Sequence, residues 1–249
     1  YMKRTILKNP IEIPTTATVS FIESYVPAGG AILEVGCGAG HVASKLSMLG
    51  YEVTGIDTDE EAISQARRLD VCVVHASWPE INVDKVDAVV FTRSMHHISP
   101  LPEAVSKALK VLMPEGIVLV EDFAFDEVDS AAMDWFLKIV RSRTGQALIS
   151  PKTNEFVTTL LNANDAPDAW HQLHDHDLHT ADEMTRAMRD VFRICDIQRV
   201  PYLYRYLINV LPETPEATSF IEEVYLEESR LGKLGALPLI GHRIVAVTP

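Results

Sequence analysis

Gly36, Gly38 and Gly40 stand at alternate positions behind the apolar run Ala31-Ile32-Leu33 and the pair Glu34-Val35. The run reads as a buried strand, and His41 to Leu49 as the helix that follows it. A chain that passes from strand to helix through glycines presents bare backbone N–H groups at the positive end of the helix. Glycine takes positive φ there freely and leaves no Cβ between backbone and ligand. Twenty-one positions after Gly36, the strand-like Glu52-Val53-Thr54-Gly55-Ile56 ends in Asp57. In nucleotide-binding α/β folds an acid about 20 residues beyond the loop accepts hydrogen bonds from a ribose. Together the two features predict a nucleoside site on an open α/β sheet.

The glycine register separates the cofactor classes. A dinucleotide fingerprint needs glycine where His41 stands. The sequence Glu34-Val35-Gly36-Cys37-Gly38-Ala39-Gly40 instead resembles motif I of the class I S-adenosylmethionine-dependent methyltransferases of small-molecule type. Phe91-Thr92-Arg93-Ser94-Met95-His96-His97-Ile98 is similar to their segment after strand 4. Leu112-Met113-Pro114-Glu115-Gly116 resembles their turn before strand 5, with Glu115 in place of its first glycine. The resemblance is strong over residues 28–125 and extends to the tail from about 190. It implies a doubly wound, seven-stranded, mostly parallel Rossmann-like sheet, with strand 7 antiparallel between strands 5 and 6. It also implies S-adenosyl-L-methionine as cofactor and methyl transfer to an O, N or C atom of a small molecule. Two alternatives stay open: an NAD-linked oxidoreductase, disfavoured by the glycine register, and a regulatory protein that binds S-adenosylmethionine without catalysis.

Composition narrows the partners. With 249 residues, 47% hydrophobic and 23% charged, the chain suits one α/β domain with an elaboration. The expectation is a single methyltransferase domain over 1–249, with an inserted lid at 125–180. No apolar run approaches the ~20 residues that span a bilayer, and no apolar stretch behind Tyr1-Met2-Lys3-Arg4 marks a signal peptide. Cys37, Cys72 and Cys195 fit neither a disulfide framework nor a zinc pattern, which suits a reducing cytoplasm. A net charge of −13 argues against nucleic acid as a partner, and a small molecule is the expected acceptor. Nothing in the chain specifies an oligomeric state.

Helices are predicted over Thr15–Tyr25, Asp59–Leu69 and from Ser99-Pro100, which cap and open it, to Leu112. Strands are predicted over Val71–Val74, Val86–Thr92 and Ile117–Asp122, and the alternation implies a parallel sheet with right-handed crossovers. Asp129–Arg143 reads as helix, and 145–180 as extra, polar chain. Thr180-Ala181-Asp182-Glu183 is a capping box opening another helix, to about Phe192. Strand 6 lies within 194–208, with Tyr202, Tyr204 and Tyr206 alternating on one face. Gly241–Val247 reads as strand 7.

Open α/β sheets bind ligands beyond the carboxyl ends of their strands. By position that selects Glu34, Gly36, Cys37, Gly38, Gly40, Asp57, Thr58, Ala76, Ser77, Thr92 and Arg93 for the cofactor. Asp57 is expected to accept the ribose hydroxyls, and Glu34 to orient the loop or the methionine amino group. The resembling enzymes often carry Asp after strand 3. Here His75-Ala76-Ser77-Trp78 stands there, leaving adenine to Ser77 or a backbone group. If the acceptor must lose a proton, His96 and His97 are the candidate bases; capping the next helix is their other role. Glu121 either holds an acceptor hydroxyl or is a partnered buried acid, and Arg93 reads as a carboxylate reader or a strut. His171, His174, His176 and His179 fit no zinc pattern, so no metal is expected and a solvated loop is the favoured reading.

Overall fold

The computed structural model describes residues 9–149 and 154–249; the first residues read for a signal peptide, and 150–153 of the extra segment, lie outside it. In chain order, α1 (Glu12–Glu23) leads to β1 (Ala31–Val35), α2 (His41–Met48), β2 (Glu52–Asp57) and α3 (Glu60–Arg67). β3 (Cys72–His75), β4 (Val86–Thr92), α4 (Leu101–Val111) and β5 (Leu112–Phe123) follow. Next come α5 (Ser130–Arg141), α6 (Arg143–Leu148), α7 (Glu155–Asn162) and α8 (Ala166–Leu173). α9 (Ala181–Val191), β6 (Arg193–Val200), α10 (Pro215–Lys233) and β7 (Gly241–Val247) complete it.

The seven strands form one sheet in the order β3-β2-β1-β4-β5-β7-β6. β3 through β5 pair in parallel. β7 runs antiparallel to β5: Ala124 N donates to Ile240 O at one end, and Thr248 N to Gly116 O at the other. The strand order therefore matches the expectation, and it reverses between β1 and β4, where such sheets bind ligands. Among the described residues no helix is long and apolar enough to cross a membrane.

The chain divides into two compact units. The first comprises 15–123, 179–198 and 242–249 and carries the sheet. Both sheet faces are buried, so its central strands are nearly continuous apolar runs. Leu33, Val35, Val89, Phe91, Val118 and Val120 pack with α4 and with Met184 and Met188 of α9. On the other face Ile32, Ala88, Val90 and Leu119 pack with Val19 and Ile22 of α1 and Val42 and Leu46 of α2. Local signals set the helix ends. Asp59 accepts from the N–H groups of Glu61 and Ala62 to start α3, and the predicted capping box starts α9. Two expectations shift. Pro100, not Ser99, occupies the N-cap of α4, while Ser99 Oγ meets His179 Nε2 at 3.1 Å. β5 begins at Leu112 with a register irregularity against β4. There Glu115 takes φ 64°, the left-handed conformation that the resembling turn reserves for glycine.

The second unit gathers the described parts of 1–14, 124–178 and 199–241. Its centre is aromatic rather than a solvated loop. Trp170 is fully buried and donates to Phe125 O at 2.9 Å. His174 meets Trp170 O at 2.8 Å and the Tyr206 hydroxyl at 2.9 Å. His171 and His176 are exposed. Among the described residues no three metal-ligating side chains cluster. The tyrosine stripe is not a strand: Leu203–Val210 is 3-10 helix. The cause is Glu228, on α10 and fully buried. It accepts from the N–H groups of Tyr202 (2.7 Å), Leu203 (3.0 Å) and Tyr204 (3.0 Å), gathering three donors that a strand would direct sideways. Burial pushes its carboxyl up to about 7.

Replacing Glu228 with Ala strands three buried N–H groups, each worth ~1–3 kcal/mol when left unpaired. Urea unfolding is expected to show a loss of about 2–5 kcal/mol, and a smaller one for Glu228→Gln, which keeps an acceptor oxygen.

Candidate active site

The loop after β1 folds over the end of β2. Gly36 N and Cys37 N both donate to Ile56 O, at 2.9 and 3.0 Å. Gly36 has φ 74°, and a Cβ there would sit 2.2 Å from the Cβ of Ser94. Ser94 Oγ in turn donates to Val35 O at 2.5 Å, tying the loop after β4 to the end of β1. Gly40, at φ 77°, has its missing Cβ 2.7 Å from the Ala66 Cβ, which lets α2 pack closely on α3. Gly38 differs. It has φ 52°, and a Cβ would meet nothing within 4 Å, so its outer face is open.

Asp57 spans this loop and the start of α3. Its Oδ2 accepts from Gly38 N at 2.7 Å, and its Oδ1 from Asp59 N at 3.0 Å. It stays half-exposed, and each carboxylate oxygen retains capacity for a further donor. Ala76 N donates to Asp57 O at 3.0 Å, and His75 Nε2 lies 2.9 Å from Thr58 O, so the ends of β2 and β3 are joined. Thr58 and Ser77 are exposed beside them.

Glu34 lies beneath the loop at 1% exposure. Thr92 Oγ1 donates to its Oε1 at 2.7 Å, while Oε2 has no hydrogen bond among the described residues. Burial pushes the Glu34 carboxyl up to about 7, against the opposing pull of the Thr92 hydroxyl, the Arg93 charge and the Ala43 backbone N–H. Burial, then the charges of Glu34 and Asp57, push the Cys37 thiol up to about 12. Its Sγ lies where a Cβ on residue 55 would be only 2.8 Å away, so Gly55 makes room for it. The Cys37 side chain packs over Gly55, with its sulfur kept as a thiol.

Beyond β4, Arg93 takes φ 58° and donates its N–H to Glu121 O at 2.7 Å. Glu121 is fully buried. Its Oε1 accepts from Thr18 Oγ1 at 2.6 Å and Arg93 Nη1 at 3.1 Å, and its Oε2 from Arg243 Nε at 2.7 Å. With two guanidinium groups and a hydroxyl on it, Glu121 is a partnered buried acid. Of the two readings open for Glu121, this geometry favours the partnered acid, with Arg93 and Arg243 as its struts. His96 and His97 form a 3-10 turn with Met95. His97 is exposed and His96 buried, their rings 4.1 Å apart. His96 Nδ1 lies 2.7 Å from Asp122 Oδ1, without the alignment of a straight hydrogen bond.

Sequence reasoning did not single out Thr18 or Arg243, and it reached Ser94 and Asp122 only as members of the strand-end stretches Thr92–His97 and Glu121–Asp122. Thr18 and Arg243 meet Glu121 from 103 and 122 positions away, a separation that leaves no local signal. Asp122 is adjacent to Glu121 and carried only the hint of ending a strand at the crevice. Chemically the strand ends offer a half-open carboxylate beside a bare loop, a buried acid below, and a histidine on a carboxylate at the next strand. A nucleoside-bearing cofactor fits this set: Gly38 leaves backbone uncovered where a ligand would lie.

The family described as "Methyltransferase domain" matches residues 15–190. A putative methyltransferase of Bacillus subtilis, YqeM, is 31% identical over 123 residues, covering 43% of this chain and 48% of that protein. A ubiquinone biosynthesis O-methyltransferase of Rickettsia bellii is 30% identical over 96 residues, 36% of this chain and 40% of the relative. The chain thus spans less than half the length of these curated relatives. The crystal structure of N-methyltransferase NodS from Bradyrhizobium japonicum, in complex with S-adenosyl-L-homocysteine, superposes with a TM-score of 0.54 at 11% identity. It covers 97% of this chain and 89% of that one and shares the fold.

The raised carboxyl of Glu34 sets a pH dependence. Between pH 4.5 and about 7 the folded chain holds a proton on Glu34 that the unfolded chain has released, so stability falls as pH rises through this window. The slope approaches ~1.4 kcal/mol per pH unit for one group. Chemical unfolding across that range is expected to show a flatter profile for Glu34→Gln than for the parent.

Proposed function

The chain belongs to the methyltransferase-domain family and its cofactor is S-adenosyl-L-methionine; from that premise we propose that it methylates an O, N or C atom of a small molecule. The observation that carries this is the pairing of Gly38, open on its outer face, with the half-exposed carboxylate of Asp57 bonded to its N–H. In this reading the cofactor lies over Gly36 to Gly40. Asp57 takes the ribose hydroxyls, and Thr58, Ala76 and Ser77 border the adenine. Glu34, braced by Thr92, supports the loop from below, with its uncommitted Oε2 available to the amino end of the cofactor. When bound, S-adenosylmethionine supplies a methyl carbon that accepts the substrate's electron pair while its bond to sulfur breaks, leaving neutral S-adenosylhomocysteine.

The protein's own contribution is placement. Holding an acceptor close to and in line with an electrophile supplies much of such a barrier reduction. The closely packed Gly36–Ser94 contact fixes the loop, and the Arg93–Glu121–Arg243 cluster fixes the segment that follows β4. His96 and His97 are the groups on that segment able to take a proton from an O–H or N–H acceptor. The net charge of −13 favours a small acceptor over nucleic acid, whose phosphates call for clustered Lys and Arg. The three free cysteines suit a reducing cytoplasm.

Calorimetry with S-adenosylhomocysteine tests the reading. Binding is expected at micromolar concentration, with no heat from NADH; the reverse result refutes it. Asp57→Ala removes charged hydrogen bonds worth ~1.5–3 kcal/mol and is expected to raise Kd about 10- to 100-fold. Gly38→Ala places a methyl group on the open face at a cost of ~1 kcal/mol for positive φ. It is expected to stay folded by circular dichroism while binding the thioether much more weakly.

A further inference from the structure

No role is yet attached to Asp122, the residue after Glu121 near the end of β5. Its carboxylate is fully buried. Oδ1 accepts from Phe123 N at 3.0 Å, and Oδ2 from His96 N at 3.3 Å. Oδ1 also lies 2.7 Å from His96 Nδ1. Two backbone donors leave a buried carboxylate short of hydrogen bonds. The contact is not a straight hydrogen bond, yet at this distance a lone pair on Nδ1 would repel the carboxylate, whereas a proton there makes the contact attractive. A neutral imidazole carries one proton on its two nitrogens. With Nδ1 protonated, Nε2 presents its lone pair, and no hydrogen bond to Nε2 is found among the described residues.

We propose that Asp122 is a positioning residue that holds His96 in the Nδ1–H tautomer and thereby makes Nε2 the proton acceptor for the methyl-accepting group. This rests on the methyltransferase reading above, and it selects His96 over the exposed His97. The proton passes from the acceptor's O or N to Nε2, whose lone pair forms the new N–H bond. The electron pair of the broken bond stays on the acceptor atom. The resulting imidazolium faces the Asp122 carboxylate, which stabilises it until the proton leaves to water. The other titratable neighbours are His97, with its ring 4.1 Å away, and His179, whose N–H donates to His96 O at 2.8 Å. The edge of Phe123 closes another side, with ring centroids 5.0 Å apart.

The test is long-range nitrogen NMR on the ligand-free, 15N-labelled protein, with the His96 signals assigned by their loss in His96→Gln. The expected result at neutral pH is a protonated Nδ1 and a bare Nε2, moving toward Nε2–H in Asp122→Asn. A wild-type spectrum showing Nε2–H overturns the proposal, as does an unchanged tautomer in a folded Asp122→Asn. Should Asp122→Asn fail to fold, the wild-type tautomer alone decides. A second readout uses any acceptor that the wild type turns over. Asp122→Asn is expected to lower kcat at least about tenfold, within the range for general-base catalysis. The double variant with His96→Gln is expected to be no slower than His96→Gln alone. A further tenfold loss in the double variant would make Asp122 merely structural and overturn the role. S-adenosylhomocysteine calorimetry separates the failures. If the wild type does not bind the thioether, the methyltransferase reading falls while the tautomer result still stands or falls by itself.

Discussion

The loops after β1 and β4 approach so closely that only a hydrogen fits where Gly36 meets Ser94. That contact, with the Ser94 hydroxyl on Val35 O, determines where the backbone N–H groups of the first loop point. A side chain at position 36 would have to push the two strand ends apart, because the obstructing atom is a Cβ beside rigid backbone. The open face of Gly38, the reach of Asp57 and the seat of the His96 turn all follow from this separation.

Charge burial holds the remaining geometry. Glu34, Glu121 and Asp122 are three carboxylates at the ends of β1 and β5, each at or below 1% exposure. They are stabilised in different ways. Glu121 sits between two arginines, one of which, Arg243, also lies 4.4 Å over the Phe21 ring. Glu34 has a hydroxyl donor and the Ala43 N–H beside it, and burial holds its proton up to about pH 7. Asp122 has backbone donors and an imidazole. A buried polar group that loses one partner is costly, so each of these groups constrains the element it sits on.

Much of the first unit was legible in the chain itself. The glycine spacing, the acid after β2 and the alternation of apolar strands with capped helices are local patterns, and the strand order, including β7, agrees with what the resemblance they carry implied. The second unit was less legible. The polar look of 145–180 concealed Trp170 and His174 in an aromatic centre, because sparse apolar residues there gather from separate helices. The Tyr202, Tyr204 and Tyr206 stripe had the period of a strand, yet Glu228 from α10 took its N–H groups and turned it into 3-10 helix.

The same division runs through the site. Sequence alone determined the conformation of the glycine loop and the placing of Asp57 beside it, because positive φ, missing Cβ atoms and a fixed spacing along one β-α-β unit are short-range properties. Tertiary structure alone decided that Glu121 is an anchor, that His96 rather than His97 faces Asp122, and that Ser94 forces glycine at position 36. Those outcomes depend on which strand ends become neighbours in the sheet. A carboxylate's role is set by the donors that converge on it from distant parts of the chain, and no local pattern specifies that convergence.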